Sequence, residues 1–199
     1  MKDRLKNLLM FEEGRVVLQN GLHVAYRDSK GIYTIGYGFN LQTGAAPSIL
    51  RRVTTKTVAA LTHKTEFLTE VEAQGLLLIA EDNALDGVRT YLPDYNALDL
   101  PRRVVFAAMV YQFGAVGFGK FHRLIAGVEG RDWPAVVLSM RQSQWYRRDS
   151  PKRARRMADA VEKGAFPDAA TLSDQAAAGQ TPAPASTANV PRSSWPFDN

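Results

Sequence analysis

The first forty residues combine one short helical pattern with strand-like runs. Leu5, Leu8 and Leu9 recur at helical spacing, which predicts an amphipathic helix over residues 2–12 that Gly14 ends. Strand-like runs follow at 16–19 and 22–26 around an Asn20-Gly21 turn, and a turn at 29–31 leads into a third run at 32–41. The pattern predicts an antiparallel sheet of about three strands that needs helices to pack against.

From about residue 48 the pattern becomes helical. Thr69 with Glu72 three residues later forms a capping box, so we expect one long amphipathic helix over 69–92, closed by Pro93. Further helices are predicted over 101–115, 120–129, 132–142 and 151–163, each bounded by Pro or Gly. A small sheet followed by a series of helices indicates the α+β class.

Composition excludes several classes of site. The 199 residues include no cysteine, and the histidines His23, His63 and His122 lack metal-ligand spacing, so we expect no disulfide, metal or cofactor. The longest uncharged run with core character, 104–119, is shorter than the roughly 20 apolar residues of a membrane span. The charged N-terminus is not typical of a signal peptide. A net charge of +5 favours an anionic partner.

The C-terminal segment differs in composition from the rest. Residues 167–199 are rich in Ala, Ser, Thr and Pro and cannot bury enough apolar surface to offset the entropy of ordering. We therefore expect a flexible tail. Trp195 and Phe197 are unusual for a linker, so docking of the tail end on the folded body stays open as an alternative.

Candidate acid–base residues flank the predicted hairpin. Glu12 and Glu13 end the first helix, and Asp28 lies at a turn six residues before Thr34. Two carboxyl groups in different surroundings are what cleavage of a glycosidic bond requires, because burial at a helix–sheet junction keeps one protonated. An Asp in a turn is more often a turn former. Helical periodicity does not separate Glu12 from Glu13. The residues alone therefore leave open whether these carboxyl groups are catalytic or structural.

Alternation along 32–39 makes a specific prediction about this hairpin. It places the bulky side chains of Tyr33, Ile35, Tyr37 and Phe39 on one face of a strand. Beyond Thr34 the opposite face carries only glycines, so we expect a ligand to approach the backbone closely there.

The stretch 28–38, DSKGIYTIGYG, together with Glu13-Gly14, resembles the signature of the T-even-type phage lysozymes, glycoside hydrolase family 24. That family has Glu-Gly at the end of the first helix, Asp in the next hairpin and Thr six positions later. Ordered matches continue at 111–114 (YQFG), 119–121 (GKF), Trp133, 145–146 (WY) and 151–156 (PKRARR). The resemblance covers roughly residues 1–165.

The resemblance implies a two-lobed, lysozyme-like α+β fold. A small β-containing lobe would span about 14–68, and a helical lobe would combine 1–13 with 69–166, joined by the long helix that begins after Thr69. The whole lysozyme domain would be 1–166, with 167–199 as the tail.

The resemblance also implies an activity and assigns residues to it. The family hydrolyses the β-1,4 bond between N-acetylmuramic acid and N-acetylglucosamine in peptidoglycan, with inversion. Glu13 would be the general acid, Asp28 would activate or orient a water molecule, and Thr34 would help to hold that water. Arg153 would pair with the acid and orient it. The positions that match residues lining the sugar cleft are Leu41, Tyr111, Gln112 and Ser139.

The sequence departs from the family between the two carboxyl groups. Segment 14–27 is six residues longer than in usual members. Either the hairpin around Asn20-Gly21 is lengthened and Asp28 keeps its place, or Asp28 is displaced and the protein is slow or inactive. Phe39 also stands where the best-known members have His, a position that is mainly structural.

Basic residues concentrate near the last predicted helix. The commonest reason for such a cluster is a solvated helix face. The second is attraction to the anionic surface of bacteria, including the outer membrane. Binding of nucleic acid is the third, because no nucleic-acid motif accompanies the cluster. We expect peptidoglycan as partner, no nucleic acid, and a monomer. The residues concerned are Arg141, Arg147, Arg148, Lys152, Arg153, Arg155 and Arg156.

The expected location follows from the implied activity. Without a signal peptide, a phage lysozyme would be made in the host cytoplasm and reach the wall in the periplasm after release by a pore-forming protein. Alternatives are a virion-borne lysozyme, a secreted antibacterial effector, or a peptidoglycan-binding module without catalysis.

Overall fold

The structure is a computed structural model and describes residues 1–13, 15–28 and 31–166, so the predicted tail at 167–199 and the predicted helix end at Gly14 lie outside it. The described chain is mostly helical with one three-stranded sheet, which confirms the α+β class. Its elements in order are α1 (Lys2–Glu12), β1 (Tyr26–Arg27), β2 (Tyr33–Ile35), β3 (Phe39–Asn40), α2 (Ala46–Leu50), α3 (Val58–Thr62), α4 (Glu70–Tyr91), a 3₁₀ turn (Tyr95–Ala97), α5 (Leu100–Gly119), α6 (His122–Glu129), α7 (Trp133–Gln142), a π-helical turn (Trp145–Asp149) and α8 (Pro151–Lys163).

The long helix begins where the capping box predicts. The Thr69 hydroxyl accepts from the Glu72 backbone N–H at 3.2 Å, and the Glu72 carboxylate accepts from the Thr69 N–H at 2.8 Å. This reciprocal pair satisfies backbone donors that a helix N-terminus otherwise leaves unpaired. The predicted helices over 2–12, 69–92, 132–142 and 151–163 are confirmed to within a residue or two.

The sheet is antiparallel in the order β1-β2-β3, with Thr34 of the central strand between Tyr26 and Asn40. The prediction of one continuous strand over 32–41 is wrong, because Gly36 and Gly38 have φ of +61° and +92° and reverse the chain between β2 and β3. Only glycine adopts this backbone without steric cost. The predicted open face is also wrong at Gly36, where an added Cβ would lie 3.3 Å from Cβ of Ala73 in α4.

The lengthened segment after Glu13 folds back on itself. Leu18 N–H donates to Leu22 O at 2.9 Å around the Asn20-Gly21 turn, and Val17 pairs with His23 in an antiparallel bridge. His23 also pairs with Leu68 just before α4. The extra residues therefore form a hairpin, as predicted, although the pairing is limited to single bridges and not to full strands at 16–19 and 22–26.

Two apolar clusters lie on either side of α4. The larger one is built from α1 and α4–α8, and α4 contributes Ala73 and Leu77 to it. The smaller one is built from the sheet, α2 and α3, and α4 contributes Leu76. Tyr37 is an exception to this division, since it lies in the β2–β3 turn but packs in the larger cluster. The lobe boundaries stay a prediction.

Helix α5 forms the centre of the larger cluster and is interrupted near its end. Gly114 has φ +70° and ψ 164°, a non-helical conformation inside Leu100–Gly119. No single helix in the described ranges is long and apolar enough to cross a membrane; α5 and α6 pass that test only as a pair bent by 102°.

Candidate active site

Glu13 lies at the C-terminal end of α1 and is buried, with 7% of its surface exposed. Its backbone is extended, and its N–H donates to Leu9 O at 2.8 Å, so the helix ends at this residue. Arg153 of α8 donates from Nη1 to Glu13 Oε1 at 3.0 Å. The structure thus brings together two of the predicted residues, separated by 140 positions in the sequence.

Glu12 differs from Glu13 in its partners. Its carboxylate accepts from Arg153 Nε at 3.1 Å, and Arg156 Nη2 lies 2.7 Å from both of its oxygens. Arg153 Nη2 also donates to the Glu12 backbone carbonyl. These charge-assisted contacts make Glu12 a structural anchor between α1 and α8. They separate the two glutamates in a way that helical periodicity does not.

Asp28 and Thr34 lie on the hairpin of β1 and β2 and flank Ile32. Asp28 Oδ1 accepts from the Ile32 N–H at 2.9 Å, and the Thr34 hydroxyl donates to Ile32 O at 3.3 Å. Asp28 therefore does form the turn, as the commoner interpretation of a hairpin Asp expects. Thr34 is buried, with 1% exposed, whereas Asp28 is half-buried.

A network of polar side chains joins the lengthened hairpin to the start of α4. Glu70 accepts from the Tyr37 hydroxyl at 2.6 Å and from Gln74 Nε2 at 2.8 Å, and its Oε2 lies 2.7 Å from His23 Nε2. Arg15 donates to the Tyr37 hydroxyl and lies 3.6 Å from Glu70. Sequence reasoning missed this network, because its members are spread over 60 residues, from Arg15 to Gln74, and belong to no motif.

The network has defined protonation states. Burial raises the pKa of Glu70, but the hydrogen bonds from Tyr37, Gln74 and His23 outweigh it and hold that pKa at about 2. Burial and the hydrogen bond to Glu70 raise the pKa of the Tyr37 hydroxyl. Between about pH 3 and pH 9 the carboxylate is therefore charged and the hydroxyl is a neutral donor.

The α5 residues assigned to the sugar cleft are mostly covered. Tyr111 donates its hydroxyl to the Tyr37 backbone carbonyl at 2.8 Å, a contact between α5 and the β2–β3 turn. Gln112 Nε2 lies 3.3 Å from the Ser150 hydroxyl at the start of α8. Both residues precede the break at Gly114. Their side chains are buried, so they reach a ligand only at their edges.

The other two assigned cleft residues lie apart from this group. Leu41 is 2% exposed and packs in the smaller apolar cluster below the sheet. Ser139 is half-buried on α7. The role of both residues in binding stays a prediction. In the described part of the chain, no group of three or more His, Cys, Asp or Glu side chains has metal-binding geometry.

The chain resembles one set of known proteins. No protein-family model matches it. Among curated proteins, "Probable T4-type lysozyme 2" of Dictyostelium discoideum is 28% identical over 171 residues, which span 82% of this chain and 96% of that protein. The match extends over nearly the whole relative, and it confirms the resemblance to the T-even-type lysozymes that the motifs indicate.

Proposed function

We propose that the chain is a lysozyme that hydrolyses the β-1,4 bond between N-acetylmuramic acid and N-acetylglucosamine in peptidoglycan. The observation that carries the proposal is the buried Glu13 at the end of α1, held by Arg153. The hairpin that follows in the chain bears Asp28 and Thr34. The similarity to a T4-type lysozyme over most of the chain supports the same activity.

In this proposal Glu13 is the general acid. It gives its proton to the glycosidic oxygen as the bond to the anomeric carbon breaks, so the leaving sugar departs as a neutral alcohol. Arg153 fixes the carboxyl group through Oε1 and stabilises the carboxylate that the transfer leaves behind. Glu12 holds Arg153 from the other side and so keeps that guanidinium in place.

Asp28 acts on the opposite face of the sugar. Its carboxylate takes a proton from a water molecule that attacks the anomeric carbon, and the Thr34 hydroxyl orients that water. The configuration at the anomeric carbon is then inverted, which requires carboxyl groups about 6.5–9.5 Å apart so that water fits between them. The hairpin around Asn20-Gly21 takes up the six extra residues and supports an undisplaced Asp28.

The test is release of reducing ends from purified Gram-negative peptidoglycan by wild type, Glu13→Gln and Glu129→Gln. Glu129 is an exposed residue at the end of α6 and serves as the matched control. We expect release by wild type and by the control, and a loss of at least about a thousandfold in Glu13→Gln, because an amide cannot supply the proton. The anomeric form of the first product, followed by NMR, tests inversion.

A folded wild type that binds peptidoglycan without releasing reducing ends would support the alternative, a binding module. An active Glu13→Gln variant would show that another carboxyl group is the general acid.

We further propose that the natural role is lysis of a bacterial host by a phage, with the virion-borne and effector roles as alternatives. The test is clearance of turbidity when the protein is added to intact cells and to cells with a permeabilised outer membrane. Clearance of the permeabilised cells alone supports lysis from inside, and clearance of both supports attack from outside.

The exposed basic surface favours a second partner. Arg147, Arg148, Lys152 and Arg155 lie exposed around the start of α8, whose apolar side is buried. We propose that this surface binds the anionic outer membrane. Cosedimentation with vesicles containing anionic lipid, but not with zwitterionic vesicles, is the expected result, and it should weaken as salt is added.

A further inference from the structure

Tyr37 occupies the middle of a turn that has little stiffness of its own. Gly36 and Gly38 on either side have positive φ, and glycine is the residue that restricts the backbone least. The turn joins β2, which carries Thr34, to β3. The position of Thr34 along the strand direction therefore depends on what holds the turn in place.

Three contacts of Tyr37 hold the turn to the helices. Its hydroxyl donates to Glu70 in the first turn of α4 at 2.6 Å. Its backbone carbonyl accepts from the Tyr111 hydroxyl of α5 at 2.8 Å. Its ring packs in the larger apolar cluster, away from the Ile35 and Phe39 side chains beside it. The turn is thus fixed to both central helices.

The same hydroxyl connects to the other side of the candidate site. Arg15, two residues after Glu13, donates to the Tyr37 hydroxyl, and its guanidinium carbon lies 5.3 Å from the centre of the tyrosine ring. His23 of the lengthened hairpin packs against that ring at 5.6 Å. One phenol therefore contacts the segment after the candidate acid, the hairpin before the candidate base and the helix between the two clusters.

We infer that Tyr37 is a positioning residue for hydrolysis, acting through its hydrogen bonds to Glu70 and Arg15 to fix the Thr34 hairpin relative to Glu13. The inference rests on the proposed lysozyme activity and extends it to a residue that touches neither the sugar nor the water in the proposed mechanism. The charged Glu70 and the neutral phenol, described above, keep the donor–acceptor pair intact across the working pH range.

The decisive variant is Tyr37→Phe, which removes the hydroxyl and keeps the ring in the core. Glu70 is 41% exposed, so its carboxylate stays solvated and the variant should fold. With soluble uncross-linked peptidoglycan as substrate, we expect kcat to fall about tenfold or more while KM changes less than about twofold, because misplacement of reacting groups by a fraction of an ångström affects the chemical step. Tyr33→Phe, on the same hairpin, is the matched control and should keep the wild-type kcat.

A second pair of variants separates positioning from simple loss of structure. Glu70→Gln retains an oxygen that accepts from Tyr37, so it should keep most of the wild-type kcat. Glu70→Ala removes that oxygen and should lose kcat, even where the two variants melt at the same temperature. An unchanged kcat in Tyr37→Phe, or a loss fully explained by a smaller folded fraction, would overturn the inference.

Hydrogen–deuterium exchange distinguishes failure of the positioning role of Tyr37 from failure of the proposed lysozyme activity. In Tyr37→Phe the amides of residues 34–40 should exchange at least about threefold faster than in wild type, whether or not the wild type hydrolyses peptidoglycan. Unchanged exchange refutes a positioning role. An inactive wild type with faster exchange in the variant refutes the lysozyme proposal and leaves the contact itself established.

Discussion

Glu81 of α4 is a buried carboxyl whose effect on stability can be worked out from its surroundings. It is fully buried, and neither of its oxygens has a hydrogen-bond partner in the described structure. Burial raises its pKa to about 7; Asp82 and Asp3 act in the same direction, and Lys6 and Lys2 oppose them. In the folded protein the group therefore binds its proton more tightly than in the unfolded chain, where its pKa is about 4.5.

The sign and size of the effect follow from linkage. Below pH 4.5 the carboxyl is protonated in both states, and its contribution is fully favourable. As pH rises from 4.5 through about 7 the unfolded chain gives up its proton before the folded protein does, so stability falls across this range and levels off above it. A tenfold difference in proton affinity is about 1.4 kcal/mol, so the gap from 4.5 to about 7 corresponds to about 3 kcal/mol.

The substitution Glu81→Gln isolates the contribution of this carboxyl group to stability, because glutamine is a neutral side chain of the same shape. We expect the variant to match wild type near pH 4.5 and to melt about 6–12 °C higher at pH 8, since about 1 kcal/mol shifts the melting temperature of such a domain by about 2–4 °C. Thermal unfolding followed by circular dichroism between pH 4 and 8 is the assay. Asp86→Asn, 79% exposed on the same helix, is the control. Melting curves of wild type and Glu81→Gln that stay parallel with pH would refute the reasoning.

Two further predictions concern stability alone. Burial raises the pKa of Glu72, but hydrogen bonds from Lys56, Thr54 and Thr69 hold it at about 2, so Glu72→Gln should lower stability by about 1 kcal/mol at pH 7. Denaturant titrations should show that difference vanishing as pH falls from 4.5 towards 2; a difference that persists at pH 2 contradicts the account. Gly119→Ala places a Cβ 2.5 Å from the Tyr91 ring and should cost about 1–3 kcal/mol, whereas Gly44→Ala, with nothing within 4 Å, should cost less than about 0.5 kcal/mol in the same titrations.

The helices could be predicted from the sequence because their ends carry local signals. Each signal lies within a few neighbouring residues: the capping box at Thr69 and Glu72 marks the start of α4, and the spacing of Leu5, Leu8 and Leu9 marks α1. The strand prediction over 32–41 failed because alternation does not register backbone dihedrals. Gly36 fits the alternating pattern but adopts a positive φ that turns the chain.

The candidate site was predictable only where a motif spanned it. The residues alone made Glu12, Glu13 and Asp28 candidates, and the resemblance chose Glu13 and added Arg153. The ion pair between α1 and α8 follows no local rule, because its partners lie 140 residues apart. The network around Glu70 and Tyr37 was missed for the same reason. Glu81 could have been found: it shares the helix face of Leu77, which is buried, at a spacing of four residues.

The distance along the chain between Glu13 and Arg153 has a consequence for biosynthesis. The ribosome makes the candidate acid 140 residues before its guanidinium partner. Helix α1 must wait for α8 before its last turn gains the contacts of Glu12 and Glu13. A chain interrupted before residue 153 would carry the acid without the arginine that holds it. The cell that makes this protein is therefore exposed to an assembled site only after α8 has been made.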